Sequence, residues 1–258
     1  MNRKFQLVAG FSSCVILVAA AVPARAQVHN VAGSCQPAFG SSICTWAKMA
    51  GSRVVSMGAN VPLAAIENSP ADGQMVWPPA PAAVIAMPTQ ARRATGVDHL
   101  TVYWEHHGHP PTPYLTPHFD FHFYTISDAD RQAIDCTNKT KPLAAAAGYS
   151  LTDIDIPGIG KLEGLCVPGM GMHAISSSEL TSTTPFSGTM VLGYYDSKPI
   201  FFEPMVAKAK LMEKKSFSLP MTVPKGLGKG VQYPRKFEAV YDAKMPGYRL
   251  VFTEFRGN

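Results

Sequence analysis

Past its first 22 residues the chain has no hydrophobic run approaching the ~18 residues that cross a bilayer, so no membrane span is expected there. It lacks a basic tract interleaved with aromatics, which removes the electrostatic footprint that nucleic-acid binding needs. No Cys-x-x-Cys occurs, which argues against a zinc knuckle or a redox dithiol. Ser176-Ser177-Ser178 has no Gly-x-Ser-x-Gly setting, so a serine hydrolase is not indicated. The Gly-rich stretch from Gly226 to Gly230 lacks the preceding strand and following helix of a phosphate loop and reads as a flexible loop. The methionines, although 12 in number, have no Met-x-x-Met cadence and read as core filler rather than as a copper relay. There is no internal repeat, heptad or low-complexity tract.

What the N-terminus does have is the pattern of an export signal over residues 1–26. Arg3 and Lys4 form a positive start, Phe5 to Val22 is mostly apolar, and Ala24-Arg25-Ala26 supplies the small-x-small pattern before Gln27. Cys14 lies inside the apolar run, which suits ordinary cleavage better than lipidation. Loss of Arg3, Lys4 and Arg25 would lower the formal charge from +5 to +2, so the precursor's basicity belongs partly to its signal. The expected location is periplasmic or extracellular. Four cysteines then remain, Cys35, Cys44, Cys136 and Cys166, and in an oxidising compartment an even count favours disulfides. Chain order suggests Cys35 with Cys44 and Cys136 with Cys166, although three pairings stay open.

Residues 27–258 are expected to form a single domain, with 27–43 loosely held unless Cys35 ties it down. Thr45 to Met57 reads as a hairpin around Ala50-Gly51-Ser52, and Pro62 to Asn68 as a short helix. The Pro-rich run Trp77 to Pro81 is a connector. Val97 to Trp104 and the stretch from Thr116 or His118 to Ile126 are strands, followed by a helix capped at Ser127 and running to about Cys136. Gly188 to Tyr195 and Pro199 to Pro204 form a second hairpin, Met205 to Lys215 is a helix candidate, and two strands close the chain. The class is α+β and β-rich, built on an antiparallel sheet or barrel with a few short helices.

The chemically pointed segment lies between Trp104 and Tyr124. Six of the eight histidines (His99, His106, His107, His109, His118, His122) fall there or just before it. In a strand reading Pro-His-Phe-Asp-Phe-His-Phe-Tyr, period-2 alternation puts His118, Asp120 and His122 on one face and Phe119, Phe121 and Phe123 on the other. His118 and His122 would be about 13 Å apart by strand rise, too far to share an ion without a bulge, so His118 with Asp120 or Asp120 with His122 are the better pairs. Gly108 and the two prolines after His109 present that imidazole on a stiff turn. His106 and His107 point to opposite sides, so at most one joins the cluster, and His29 and His99 read as structural. Far along the chain, His173 follows two glycines, and Glu203 stands in an apolar strand where burial would demand a partner.

Four motifs carry a resemblance: Gly108-His109-Pro110-Pro111, Pro117 to Tyr124, Pro168-Gly169-Met170-Gly171-Met172-His173 and Phe202-Glu203-Pro204-Met205. In these the chain resembles a small family of exported bacterial proteins of unknown function, some of them lipoproteins, first described from a Thermus protein. The resemblance implies a family label without a reaction. The later His and Glu are also similar to the ligand logic of cupin barrels, but cupins pair their histidines as His-x-His, whereas three residues separate His118 from His122.

The expectation that follows is an exported protein with a mononuclear divalent metal site, zinc first, built from His118, Asp120, His122, His173 and Glu203, with His109 at the rim. Whether it is an enzyme is left open. The competing reading is a non-catalytic envelope protein in which the cluster is a buried hydrogen-bond network. For partners, a small-molecule ligand and a homo-oligomer are compatible with the sequence.

Overall fold

Short apolar-polar alternations between turn residues leave few ways to bury the apolar faces other than sheet against sheet. The computed structural model describes residues 26–74 and 76–257; the signal expected over 1–26 lies, but for its last residue, outside the described residues.

In chain order the N-terminal part gives β1 (Val28–Ala38), β2 (Ser41–Ala50), β3 (Arg53–Pro62), α1 (Leu63–Glu67), β4 (Ala83–Ala86) and α2 (Thr89–Thr95). The middle gives β5 (His99–Glu105), β6 (His118–Tyr124), α3 (Asp128–Gln132), β7 (Tyr149–Ser150), β8 (Ile154–Ile156), β9 (Gly160–Leu162), β10 (Cys166–Val167) and β11 (Gly171–Ser176). The remainder gives β12 (Gly188–Tyr195), β13 (Lys198–Ala207), α4 (Lys208–Met212), β14 (Phe217–Leu219), β15 (Gln232–Tyr233), β16 (Lys236–Asp242), β17 (Gly247–Thr253) and β18 (Arg256–Gly257).

Two antiparallel sheets carry the fold. One has the order β1-β2-β3-β17-β16-β14; the other runs β10-β11-β12-β13-β6-β5-β4, with β7 added beside β11. Both sheets are open, so the α+β, β-rich class holds while the barrel alternative does not, and with it goes the cupin likeness. The sheets meet through aromatic rings: Phe123 and Phe202 of the second sheet each lie 4.8 Å, centroid to centroid, from Phe252 of the first. Phe119, Phe121 and Phe123 all join this shared core, so the phenylalanine face of β6 points between the sheets. His118, Asp120 and His122 therefore face the other way, toward a smaller apolar cluster of Tyr103, Val167 and Met170.

Two local elements differ from the sequence reading. The helix expected over 205–215 is confined to Lys208–Met212, because Met205, Val206 and Ala207 extend β13 and pair with Asp120, Phe119 and His118. Between two partner strands, ladder bonds on both sides outweigh helix propensity. The helix after Ser127 ends at Gln132 rather than near Cys136; its cap is the expected one, Ser127 Oγ accepting from the Asp130 amide.

Both suggested disulfides are present, Cys35–Cys44 and Cys136–Cys166. Cys35 and Cys44 face each other across β1 and β2, so the segment whose anchoring depended on Cys35 is an edge strand tied at that point. Among the described residues no helix is long and apolar enough to cross a membrane.

Candidate metal centre

All seven residues of β6 are buried, an unusual position for two imidazoles and a carboxyl unless each has a partner. The strand lies between β5 and β13, which bring Tyr103 opposite Asp120 and Phe202 opposite Phe123. Glu203 then projects on the same face as His122, with 3.4 Å between its Oε2 and His122 Nε2. His173 arrives from β11, its Nε2 3.3 Å from His122 Nε2. The ring of Phe201 packs at 4.6 Å from His122 and 5.1 Å from His173. That ring lies on Gly193, where a Cβ would come within 2.0 Å of it, so the close approach needs glycine.

The turn after β5 delivers His109. Gly108 adopts φ of +69° and leaves no room for a Cβ, which would sit 2.1 Å from the Tyr114 carbonyl oxygen. His109 thereby reaches the start of β6, its Nε2 3.9 Å from Asp120 Oδ2, while His118 Nε2 stands 3.3 Å from Asp120 Oδ1. The six expected residues thus come together, but as two groups, His109/His118/Asp120 and His122/His173/Glu203, each able to hold a metal ion. The five residues expected around one ion, with His109 at the rim, are divided between these two groups. The reason is the strand rise that already separated His118 from His122: each takes its own carboxylate.

Backbone carbonyls orient three of the imidazoles. Nδ1–H of His118 donates to Thr116 at 2.6 Å, that of His173 to Leu165 at 3.0 Å, and that of His109 to Pro110 at 2.8 Å. With the proton on Nδ1, each Nε2 presents a lone pair inward, as a metal-ligating imidazole does. His118 Nε2 and an ionised Asp120 Oδ1 would face each other as two acceptors, and neither atom has a hydrogen-bond partner; Glu203 Oε2 is likewise unpartnered. Lone pairs in contact repel unless a proton or a cation lies between them. Tetrahedral ligands about 2.0–2.1 Å from zinc are about 3.3–3.4 Å apart, close to one imidazole–carboxylate contact in each group, 3.3 Å for His118–Asp120 and 3.4 Å for His122–Glu203; His109–Asp120 is longer, at 3.9 Å.

Burial dominates the electrostatics. It pushes His118 and His122 well below the ordinary imidazole range, aided by His109 and His173 respectively, and His173 down to about 4. It pushes Asp120 and Glu203 well above the ordinary carboxyl range, with Glu105 adding repulsion to both. Neutral imidazoles are ready ligands, and a divalent cation would relieve the cost of ionising the two carboxyls.

The remaining histidines stay outside both triads. His106 Nε2–H donates to the Gly73 carbonyl, and the His107 ring lies tilted beside it with centroids 4.2 Å apart. His99 is held by Asp98 and stacked on Tyr124. Sequence reasoning did not single out Glu105, which joins His106, His109, Asp120, His173 and Glu203 in the wall of one cavity of about 280 Å³. Nor did it single out Arg131, a buried cation whose Nη1 donates to Gly169 and which pairs with Asp128. Glu105 lay beside the histidine run, whereas nothing local distinguishes Arg131 from a surface arginine on a short helix.

Residues 51–104 match the TTHB210-like family, described as hypothetical protein TTHB210. This agrees with the resemblance to a Thermus-derived family of unknown function. The match runs from the β2–β3 turn into β5 and stops before the histidine-rich turn, so both triads lie beyond it. No curated protein and no solved structure matches the chain.

Proposed function

We propose that this protein is an exported metalloprotein that holds a divalent cation, zinc first, at each of the two triads. The observation that carries the reading is the set of buried, unpartnered ligand atoms, His118 Nε2, Asp120 Oδ1 and Glu203 Oε2, distributed over both groups. Borderline N/O ligation by two imidazoles and one carboxylate suits zinc, whereas manganese or magnesium favours more oxygen. Export is supported by the signal pattern of residues 1–26 and by two disulfides, which persist outside reducing compartments.

Three protein ligands per cation leave a further coordination position. A divalent cation in such a setting lowers the pKa of bound water and polarises a carbonyl, chemistry that suits hydrolysis or a lyase reaction. The chain's own residues would orient the site through the Thr116 and Leu165 carbonyls and keep bulk water from its inner half with Phe201 and Tyr103.

Elemental analysis of protein purified without a His-tag and without chelator tests this directly. Close to two equivalents are expected, falling to one in His118→Ala and in His173→Ala; less than about a tenth of an equivalent would remove the reading, since a structural ion is retained. A second reading, a non-catalytic envelope protein with a hydrogen-bond network, draws on the 3.3 Å contact of His122 with His173, which a single proton can bridge. It predicts that the same variants lower thermal stability without changing metal content.

A further inference from the structure

The cavity beside the triads has a polar end and an apolar body. Asp120 and His109 come from one triad, His173 and Glu203 from the other, while Leu162, Leu165, Val167 and Met170 line the flank. Its mouth collects three of the few large apolar side chains that face solvent, Val76, Trp77 and Ile159, which are 63%, 41% and 38% exposed. Exposed apolar side chains scattered singly need no explanation, but three converging on one opening do. The volume, about 280 Å³, is near the lower end for small-molecule sites.

Charge narrows the occupant. Among the described residues that line the cavity there is no lysine or arginine, and the ionisable acids are Glu105, Asp120 and Glu203. Three carboxylates against two divalent cations leave one positive charge, and the buried polar end, where Asp120 and Glu203 lie, favours neutralising it with one monoanion. A dianionic or polyphosphorylated ligand would overshoot that balance and would find no side-chain cation to meet it.

Resting on the two-cation reading above, we infer that the cavity binds an amphipathic monocarboxylate, with its head on the triad cations and an alkyl or aryl-alkyl tail along Leu162, Leu165, Val167 and Met170 toward Trp77 and Ile159. The head has no other cation to bind, so affinity depends on the metal. The tail supplies most of the discrimination, because each methylene buried adds several-fold.

Octanoate, acetate and 1-octanol serve as probes against protein loaded with two equivalents of zinc and against the same protein stripped with chelator, read by calorimetry and by the fluorescence of Trp77 and Trp104. Octanoate is expected to bind the loaded protein at least a hundredfold more tightly than acetate and at least tenfold more tightly than 1-octanol, and to lose most of its affinity on stripping. With cobalt in place of zinc, octanoate should also alter the visible absorption of the metal. Ile159→Ser, at the exposed mouth, should weaken octanoate several-fold and leave acetate and metal content unchanged. Protein that holds two ions yet binds octanoate no better than acetate, or equally well when stripped, overturns this inference alone. Protein that takes up no ion overturns the metal reading as well.

Discussion

The two sheets are built alike, antiparallel, open and packed through a shared aromatic core, yet they differ sharply in what they bury. The sheet of β1–β3, β14, β16 and β17 buries only neutral polar side chains, Thr45 and Ser56. The other buries His99, His118, Asp120, His122, His173 and Glu203, which include every buried histidine and carboxyl group among the described residues. Since the first sheet reaches the same packing without such groups, stability does not require them. The difference teaches that one sheet alone carries buried ionisable groups, and that six residues on and beside it are positioned to hold metal ions.

The comparison is broken most severely at the seam. Phe123→Ala removes a fully buried ring in contact with Phe202 and Phe252 and should cost about 3–5 kcal/mol in urea unfolding. Metal content per folded molecule should stay the same, because the ring points away from the triads. A loss below about 1 kcal/mol would mean that the sheets do not share a core.

Removing the proposed cations should distinguish the sheets without touching the seam. A ligand at a thousandfold its dissociation constant stabilises the native state by about 4 kcal/mol, so stripped protein should unfold at a clearly lower temperature. Hydrogen exchange on stripping should rise in β6, β11 and β13 and stay unchanged in β1, β2 and β3. Uniform loosening would contradict the assignment of the site to one sheet.

Each sheet also has its own bridge. Closing the loop between Cys136 and Cys166 constrains the unfolded chain by about 3–4 kcal/mol, and the shorter Cys35–Cys44 loop by about 3 kcal/mol, in the chain-entropy account. The sharper distinction is functional. Cys166 pairs with Met172, next to His173, so the Cys136→Ser/Cys166→Ser variant should weaken cation binding, whereas Cys35→Ser/Cys44→Ser should not. Titration of zinc into each variant decides it.

The smallest effect is expected at the surface. Lys139→Ala deletes an exposed pair with Glu163 and should change stability by no more than about 1 kcal/mol, with cation affinity unaltered. A larger change in either would place the loop after α3 inside the cooperative core.

Much of the candidate site was legible because β6 advertises itself: strict alternation of His/Asp with Phe leaves only one way to orient the strand. The need of Glu203 for a partner followed from its apolar neighbours; His122 and His173 stand beside it, yet its Oε2 has no hydrogen-bond partner. Less visible was α2, which begins after Pro88 with no side-chain cap and offers no boundary signal. The end of β13 misled for the opposite reason: Met205 to Ala207 suit a helix locally, and only pairing with β12 and β6 holds them extended.

By itself, the sequence determined the strand-rich class, the two faces of β6, the pairing favoured for the cysteines and the six residues from which a site could be made, because each of these depends on local periodicity or on residue chemistry. Tertiary structure alone decided that the sheets stay open, that His109 joins His118 and Asp120, and that His173 and Glu203 close on His122. Those outcomes depend on register between strands distant in the chain and on turns such as that at Gly108, and a separation of 51 residues between His122 and His173 leaves no local trace of a 3.3 Å contact.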